Sequence, residues 1–150
     1  MNVTDPRFPG IEIDDSTERL DVVQVWSWLK DCYWCKGIPQ DTVARAIRGS
    51  ICFGVYEGDR MIAFARVVTD RATFAWLCDV VVDPAYRGRG LGTWLAGAIR
   101  THPELQGLRR FLLATLDAHE VYRRVGFVTT NAPDRFMEIV DREIYQRKGG

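Results

Sequence analysis

Val80-Val81-Val82-Asp83-Pro84-Ala85-Tyr86-Arg87-Gly88-Arg89-Gly90-Leu91-Gly92 runs from an apolar stretch, through a proline break, into a basic glycine-rich turn. Leu91, Trp94, Leu95 and Ala98 then fall on one face of a helix. This is the order in which a chain makes an anion cradle. Glycines let the backbone turn tightly with several N–H groups aimed at one spot, and the helix start adds partial positive charge. Two other readings compete. A dinucleotide-binding turn needs Gly-x-Gly-x-x-Gly, but the third glycine here comes one place early and the expected first strand and helix of such a unit are missing. A purely structural turn is the plainer alternative, since Pro and Gly punctuate loops generally.

Upstream, Ile11 to Ile13 reads as a first strand, and Val22, Val25, Trp26 and Leu29 mark a helix ending near Tyr33, before Gly37 and Pro39. A shorter helix is expected from Thr42 to Arg48, stopped by Gly49. Ile51 to Tyr56 and Met61 to Thr69 are β-rich apolar runs joined by Glu57-Gly58-Asp59-Arg60, a hairpin; Thr73 to Val82 follows the turn at Asp70-Arg71. Downstream, Arg110 to Leu116 returns as a strand, making a right-handed crossover with the strand before the turn. Ala118 to Arg124 reads as a helix capped by Gly126, with Phe127 to Thr129 and Phe136 to Val140 as closing strands. The ends, Met1 to Pro9 and Arg147 to Gly150, read as frayed. The class is therefore α+β: an antiparallel meander first, a parallel βαβ unit second, with about four helices on the sheet.

No repeat or linker divides the 150 residues, which predicts one domain over 1–150 with its core between about 11 and 140. Twenty basic and twenty acidic residues cancel, which argues against a nucleic-acid binder. The start lacks a basic leader, and no apolar run approaches the roughly 20 residues that span a bilayer, so a cytoplasmic protein with no membrane partner is expected. Cys32-Tyr33-Trp34-Cys35 has the spacing of half a zinc site or of a redox pair. Neither reading finds its context, because Cys52, Cys78, His102 and His119 are scattered singly; no metal is expected.

The loop Arg87-Gly88-Arg89-Gly90-Leu91-Gly92 and the segment Ala118-His119-Glu120-Val121-Tyr122-Arg123-Arg124-Val125-Gly126-Phe127 together resemble two motifs of the GNAT superfamily of acetyl-CoA-dependent N-acetyltransferases. The first fits the family's Arg/Gln-x-x-Gly-x-Gly/Ala loop and the second its Ala-x-x-Leu-Tyr-Glu-Lys-Leu-Gly-Phe region. The resemblance implies the GNAT fold, with the fourth and fifth strands splayed apart. It also implies acetyl-CoA as co-substrate, its pyrophosphate held by main-chain N–H groups of Arg87, Gly88, Arg89, Gly90, Leu91, Gly92 and Thr93. The pantetheine arm would lie along Val80, Val81 and Val82. Thr115 stands where many relatives carry an asparagine that helps hold the cofactor. Dimers are common in the family.

Acyl transfer from a thioester to an amine needs a neutral amine, a stabilised oxyanion and a proton for the departing thiolate. A free alkylammonium has a pKa near about 10.4, so a carboxylate, directly or through water, is needed to help remove its proton. Asp79 is the candidate, in a segment similar to the Leu-Glu-Asp strand of diamine-type acetyltransferases, although Cys78 replaces the Glu. A carboxylate in an apolar strand is costly unless paired or used; the alternative for Asp79 is a salt bridge to Arg66 or another strand-borne arginine. Tyr122 matches the family tyrosine that reprotonates the coenzyme A sulfur; otherwise it is a core residue of a short helix. The oxyanion falls to the Val80 N–H, and His119 is a minor second proton carrier. Tyr33 and Trp34, beside Lys36 and Gly37, are the candidate acceptor wall, able to stack on a ligand or enclose an ammonium. The reading is N-acetyl transfer to a primary amine of a small molecule by direct attack in a ternary complex. The alternatives are a protein or peptide N-acetyltransferase and a catalytically silent module that senses acyl-CoA.

Overall fold

A computed structural model describes residues 1–147. Six strands form one sheet in chain order: β1 (Asn2–Thr4), β2 (Ile11–Asp14), β3 (Ile51–Glu57), β4 (Arg60–Thr69), β5 (Phe74–Val82) and β6 (Arg110–Leu113). Every pairing is antiparallel except β5 with β6, which is parallel. Helices α1 (Val22–Leu29) and α2 (Gln40–Arg48) precede β3, α3 (Leu91–Arg100) connects β5 to β6, and the short α4 (His119–Arg123) and α5 (Ile144–Arg147) follow.

The central strands read as unbroken apolar runs because both sheet faces are covered. Along β3, Phe53 and Val55 join Ile13, Ile62, Leu77, Leu91, Leu95 and Ile99 under α3. Cys52 and Tyr56 point the other way, into a cluster with Val25, Leu29, Val43, Ile47, Phe64 and Val81 under α1 and α2. Gly54 lies between them because the Tyr56 ring crosses it, and a methyl added there would overlap the ring and hydroxyl. Asp21 caps α1 by accepting the Gln24 N–H at 3.0 Å. The β3–β4 hairpin turns at Gly58, whose φ of +60° suits glycine.

Several expectations are corrected. Asn2–Thr4 is not frayed but pairs with β2, Val3 opposite Ile13. The extra strand shifts the count, so the family's fourth and fifth strands are β5 and β6 here. The first helix stops at Leu29, and residues 30–37 form successive turns closed by Cys35 N–H to Cys32 O at 3.1 Å and Gly37 N–H to Lys30 O at 2.8 Å. β6 ends at Leu113 rather than Leu116, and neither Phe127 to Thr129 nor Phe136 to Val140 forms a strand. A β-rich composition needs a partner edge and a buried face to become a strand, and residues 136–140 have little of their surface covered. Arg147 ends α5, while residues 148–150, also expected to fray, lie outside the described residues.

Candidate active site

Two departures from regular sheet geometry open the site. The β5–β6 ladder runs from Phe74 opposite Arg110 to Leu77 opposite Leu113 and stops, while β5 continues to Val82, so a gap opens beyond Leu77. In β5 itself, Cys78 faces Arg66 and Val81 faces Phe64, which leaves Asp79 and Val80 opposite the single residue Ala65. This is a β-bulge, and Asp79 takes a φ of +54°, a left-handed conformation that Asp tolerates better than most side chains. Bulges re-aim side chains, and here the re-aimed residue lines the gap.

The turn after β5 is held by its flanks. The Asp83 N–H bonds to Ile62 O at 2.8 Å and its carboxylate accepts the Ala85 N–H at 2.9 Å. Tyr86 is buried, its hydroxyl donating to Glu57 at 2.6 Å. From this anchored base the chain passes through Gly88 and Gly90 at φ of +78° and +87°. The first main-chain bond of α3 runs from Trp94 N–H to Gly90 O at 3.1 Å, and no side chain caps the preceding amides. A Cβ at Gly88 or Gly92 would meet nothing within 4 Å, so the backbone is open to a group approaching it. The residues present therefore fit a diphosphate: unoccupied amides, helix dipole, and the guanidinium groups of Arg87 and Arg89 nearby in sequence.

Between β5 and β6 lies a cavity of about 510 Å³, whose wall includes Tyr33, Trp34, Asp79, Val80, Thr115 and Tyr122. The structure thus brings the candidate base, the phenol and the aromatic pair to one space. One Asp79 oxygen accepts the Arg66 Nε–H at 2.8 Å and the other accepts the Trp34 indole N–H at 3.1 Å. Arg66 in turn donates to Ser50 Oγ at 3.0 Å. Burial pulls the Arg66 guanidinium down, but Asp79 beside it outweighs this and leaves it above its ordinary value. Tyr33 meets Trp34 edge-on at 5.1 Å. Val81 faces the α1–α2 core, so it is the main chain of this stretch, rather than the Val81 side chain, that is available to the gap.

Burial pushes the Tyr122 hydroxyl above its ordinary pKa, and Asp117 adds to the effect, so the phenol keeps its proton at neutral pH. Thr115 Oγ1 accepts the Ala118 N–H at 3.0 Å and so sets the start of α4. His119 is exposed and borders a second cleft of about 260 Å³ on the other side of Tyr122, not the larger cavity. Among the wall residues that the sequence reading did not single out are Trp76 and Asp117, the latter a carboxylate with no ion pair among the described residues. Asp117 sits one place before the motif that begins at Ala118, and its spacing carried no signal. The four cysteines are free thiols. Burial drives Cys35, Cys52 and Cys78 up to about 12, which suits inert side chains rather than nucleophiles. Among the described residues no group of three or more His, Cys, Asp or Glu is placed to hold a metal ion.

The profile of the Acetyltransferase (GNAT) family matches residues 22–127, which takes in both motifs, the bulge and the gap. The chain belongs to the GNAT acetyltransferase family. A Xanthomonas campestris pv. campestris protein of the GNAT family, xcc2953, is 45% identical, with a TM-score of 0.88 over 92% of this chain and 98% of that one. The Gibberella zeae protein FG08082, which carries an acetyltransferase designation, is 29% identical over 140 residues, or 79% of this chain and 73% of that one. A Clostridium acetobutylicum protein whose crystal structure was determined with acetyl-CoA shares the GNAT fold at a TM-score of 0.64 and 16% identity, covering 87% of this chain and 96% of that one. This GNAT chain is an N-acetyltransferase by family, and no helix among its described residues is long and apolar enough to cross a membrane.

Proposed function

We propose that this GNAT protein is a single N-acetyltransferase domain over 1–150 that moves acetyl from acetyl-CoA to a primary amine of a small molecule in a ternary complex. The observation that carries the reading is the open turn at Gly88 and Gly90, set at the end of β5 beside the gap that Asp79 and Tyr122 share. Acetyl-CoA, when bound, supplies an activated thioester. The main-chain amides of Arg87, Gly88, Arg89, Gly90, Leu91, Gly92 and Thr93 hold its diphosphate, and the Val80–Val82 main chain aligns its arm.

Arg66 keeps one oxygen of Asp79, so the oxygen now on the Trp34 indole is the one that faces an acceptor. Asp79 takes a proton from the acceptor ammonium, directly or through water, and the freed amine forms the new C–N bond. The Val80 N–H holds the negative oxygen of the tetrahedral intermediate. As the C–S bond breaks, the Tyr122 hydroxyl gives its proton to the thiolate, the proton still on the acylated nitrogen returns through water to the phenolate, and the one on Asp79 leaves to solvent. Tyr33 and Trp34, with Trp76 behind them, supply an aromatic wall suited to a compact amine. Four free thiols suit the reducing cytoplasm.

The test is coenzyme A release from acetyl-CoA across a panel of small amines, peptides and proteins. Turnover on at least one small amine, well above that on any peptide, is expected. Turnover on peptides alone would replace the acceptor class, and binding without turnover on any amine would leave an acyl-CoA sensor.

A further inference from the structure

The connection between β1 and β2, residues 5–10, touches the glycine turn. A Cβ built on Gly90 would lie 3.7 Å from Phe8 Cζ, an ordinary contact, and no other described residue beyond its chain neighbours comes within 4 Å of that point. The same ring stacks on Trp94, with centroids 4.9 Å apart and planes 16° from parallel. Trp94 is buried, and its N–H closes the first turn of α3 on Gly90 O at 3.1 Å. Phe8 therefore spans that turn from Gly90 to Trp94.

Phe8 is itself held. Its N–H donates to Asp5 O at 2.9 Å, and its carbonyl accepts the Ile11 N–H at 3.2 Å. The Asp5 carboxylate accepts the Arg7 N–H at 2.8 Å and pairs with the Arg7 guanidinium, which lies 5.4 Å from the centre of the Phe8 ring. Pro6 and Pro9 restrict the backbone on either side, and Ile11 enters the core.

Glycine at 88, 90 and 92 leaves the turn few side chains of its own to pack, and glycine loses the most conformational freedom on being fixed. Unless another part of the chain holds the turn in the shape that presents its amides, ordering it weakens the binding of whatever docks there. Asp83 and Tyr86 fix the entry to the turn. A hydrocarbon ring at Gly90 fixes the exit and, offering no acceptor, leaves the amides unclaimed.

We propose, given the reading of this turn as a diphosphate site, that Phe8 is a positioning residue for acyl-CoA: packed across Gly90 and Trp94, it holds residues 87–93 in their open shape before the diphosphate arrives.

Calorimetry on the full chain, with acetyl-CoA and with acetyl-pantetheine, which lacks the diphosphate, tests this. Phe8→Ala should weaken acetyl-CoA binding about tenfold and acetyl-pantetheine binding by less than about twofold. Phe8→Leu, which keeps an apolar side chain without the flat stack, should show a smaller loss in the same direction, and it carries the test if Phe8→Ala gives no cooperative urea transition. Val3→Ala, on the same hairpin but packed on the core, should lower the urea midpoint and leave the ratio of the two affinities at the parent value. A ratio unchanged in both Phe8 variants, or equal weakening of both donors, overturns the proposal while the diphosphate reading stands. So does a ratio that falls as far in Val3→Ala. A parent chain that binds acetyl-CoA no more tightly than acetyl-pantetheine overturns both.

Discussion

The Arg66 Nε–H donates to an oxygen of Asp79 at 2.8 Å, across two neighbouring strands and 13 residues of chain. The two side chains keep 19% and 12% of their exposure, so this is a largely buried pair, and the left-handed φ of Asp79 is what brings its carboxylate into reach of both Arg66 and Trp34. The salt-bridge alternative and the functional role are therefore not rivals: one oxygen is tied and the other is shared with an exposed donor.

Removing one partner of a buried pair strands the other. Arg66→Met is expected to cost about 3 kcal/mol by urea denaturation, and the double variant Arg66→Met/Asp79→Leu should recover part of that loss. A double variant as unstable as the sum of the single variants would show that the pair contributes nothing through its contact.

Asp79→Asn keeps the hydrogen-bonding shape but removes the proton acceptor. The pH profile of kcat/KM for the acceptor should move upward, toward the pH at which the amine loses its own proton. An unmoved profile would acquit Asp79 of proton transfer.

Tyr122→Phe deletes one hydroxyl from a half-buried ring. Turnover is expected to fall at least about tenfold while acetyl-CoA affinity stays within about twofold. An unaltered rate would remove Tyr122 from the mechanism.

Cys52 is fully buried, and its thiol is raised from an ordinary 9.0 to about 12. The unfolded chain therefore gives up this proton at lower pH than the folded chain. The contribution to stability is intact below about pH 9 and erodes between there and about pH 12, by about 1.4 kcal/mol per pH unit. Cys35, Cys78 and Tyr122 shift in the same direction. Urea midpoints should hold up to about pH 9 and fall as the pH rises from there toward about 11, and Cys52→Ala should flatten the fall.

Much of the architecture was legible in the residues. The β3–β5 meander shows as long apolar runs because both faces are buried, and α3 shows as a stripe at Leu91, Trp94, Leu95 and Ala98. Gly126, at φ of +105°, closes the turn after α4 as its position predicts. What could not be read depends on distant partners. Asn2–Thr4 becomes a strand only because β2 pairs with it, and 136–140, for all its β-forming residues, pairs with no strand of the sheet. In the site, the two motifs located the turn and Tyr122, and the cost of a carboxylate in an apolar strand singled out Asp79. The bulge that aims it, the indole 45 residues away that bonds it, and Asp117 across the cavity leave no local pattern.

The central claim is that the amides from Arg87 to Thr93 hold a diphosphate and so direct a thioester into the gap beside Asp79. Calorimetry with acetyl-CoA, run alongside acetyl-pantetheine, which lacks the diphosphate, tests it most directly. The account expects acetyl-CoA to bind at least about a hundredfold more tightly, and Gly90→Val, strained at its φ of +87°, to erase most of that difference. Equal affinity for the two donors, or an acetyl-CoA isotherm unchanged by Gly90→Val, would contradict it.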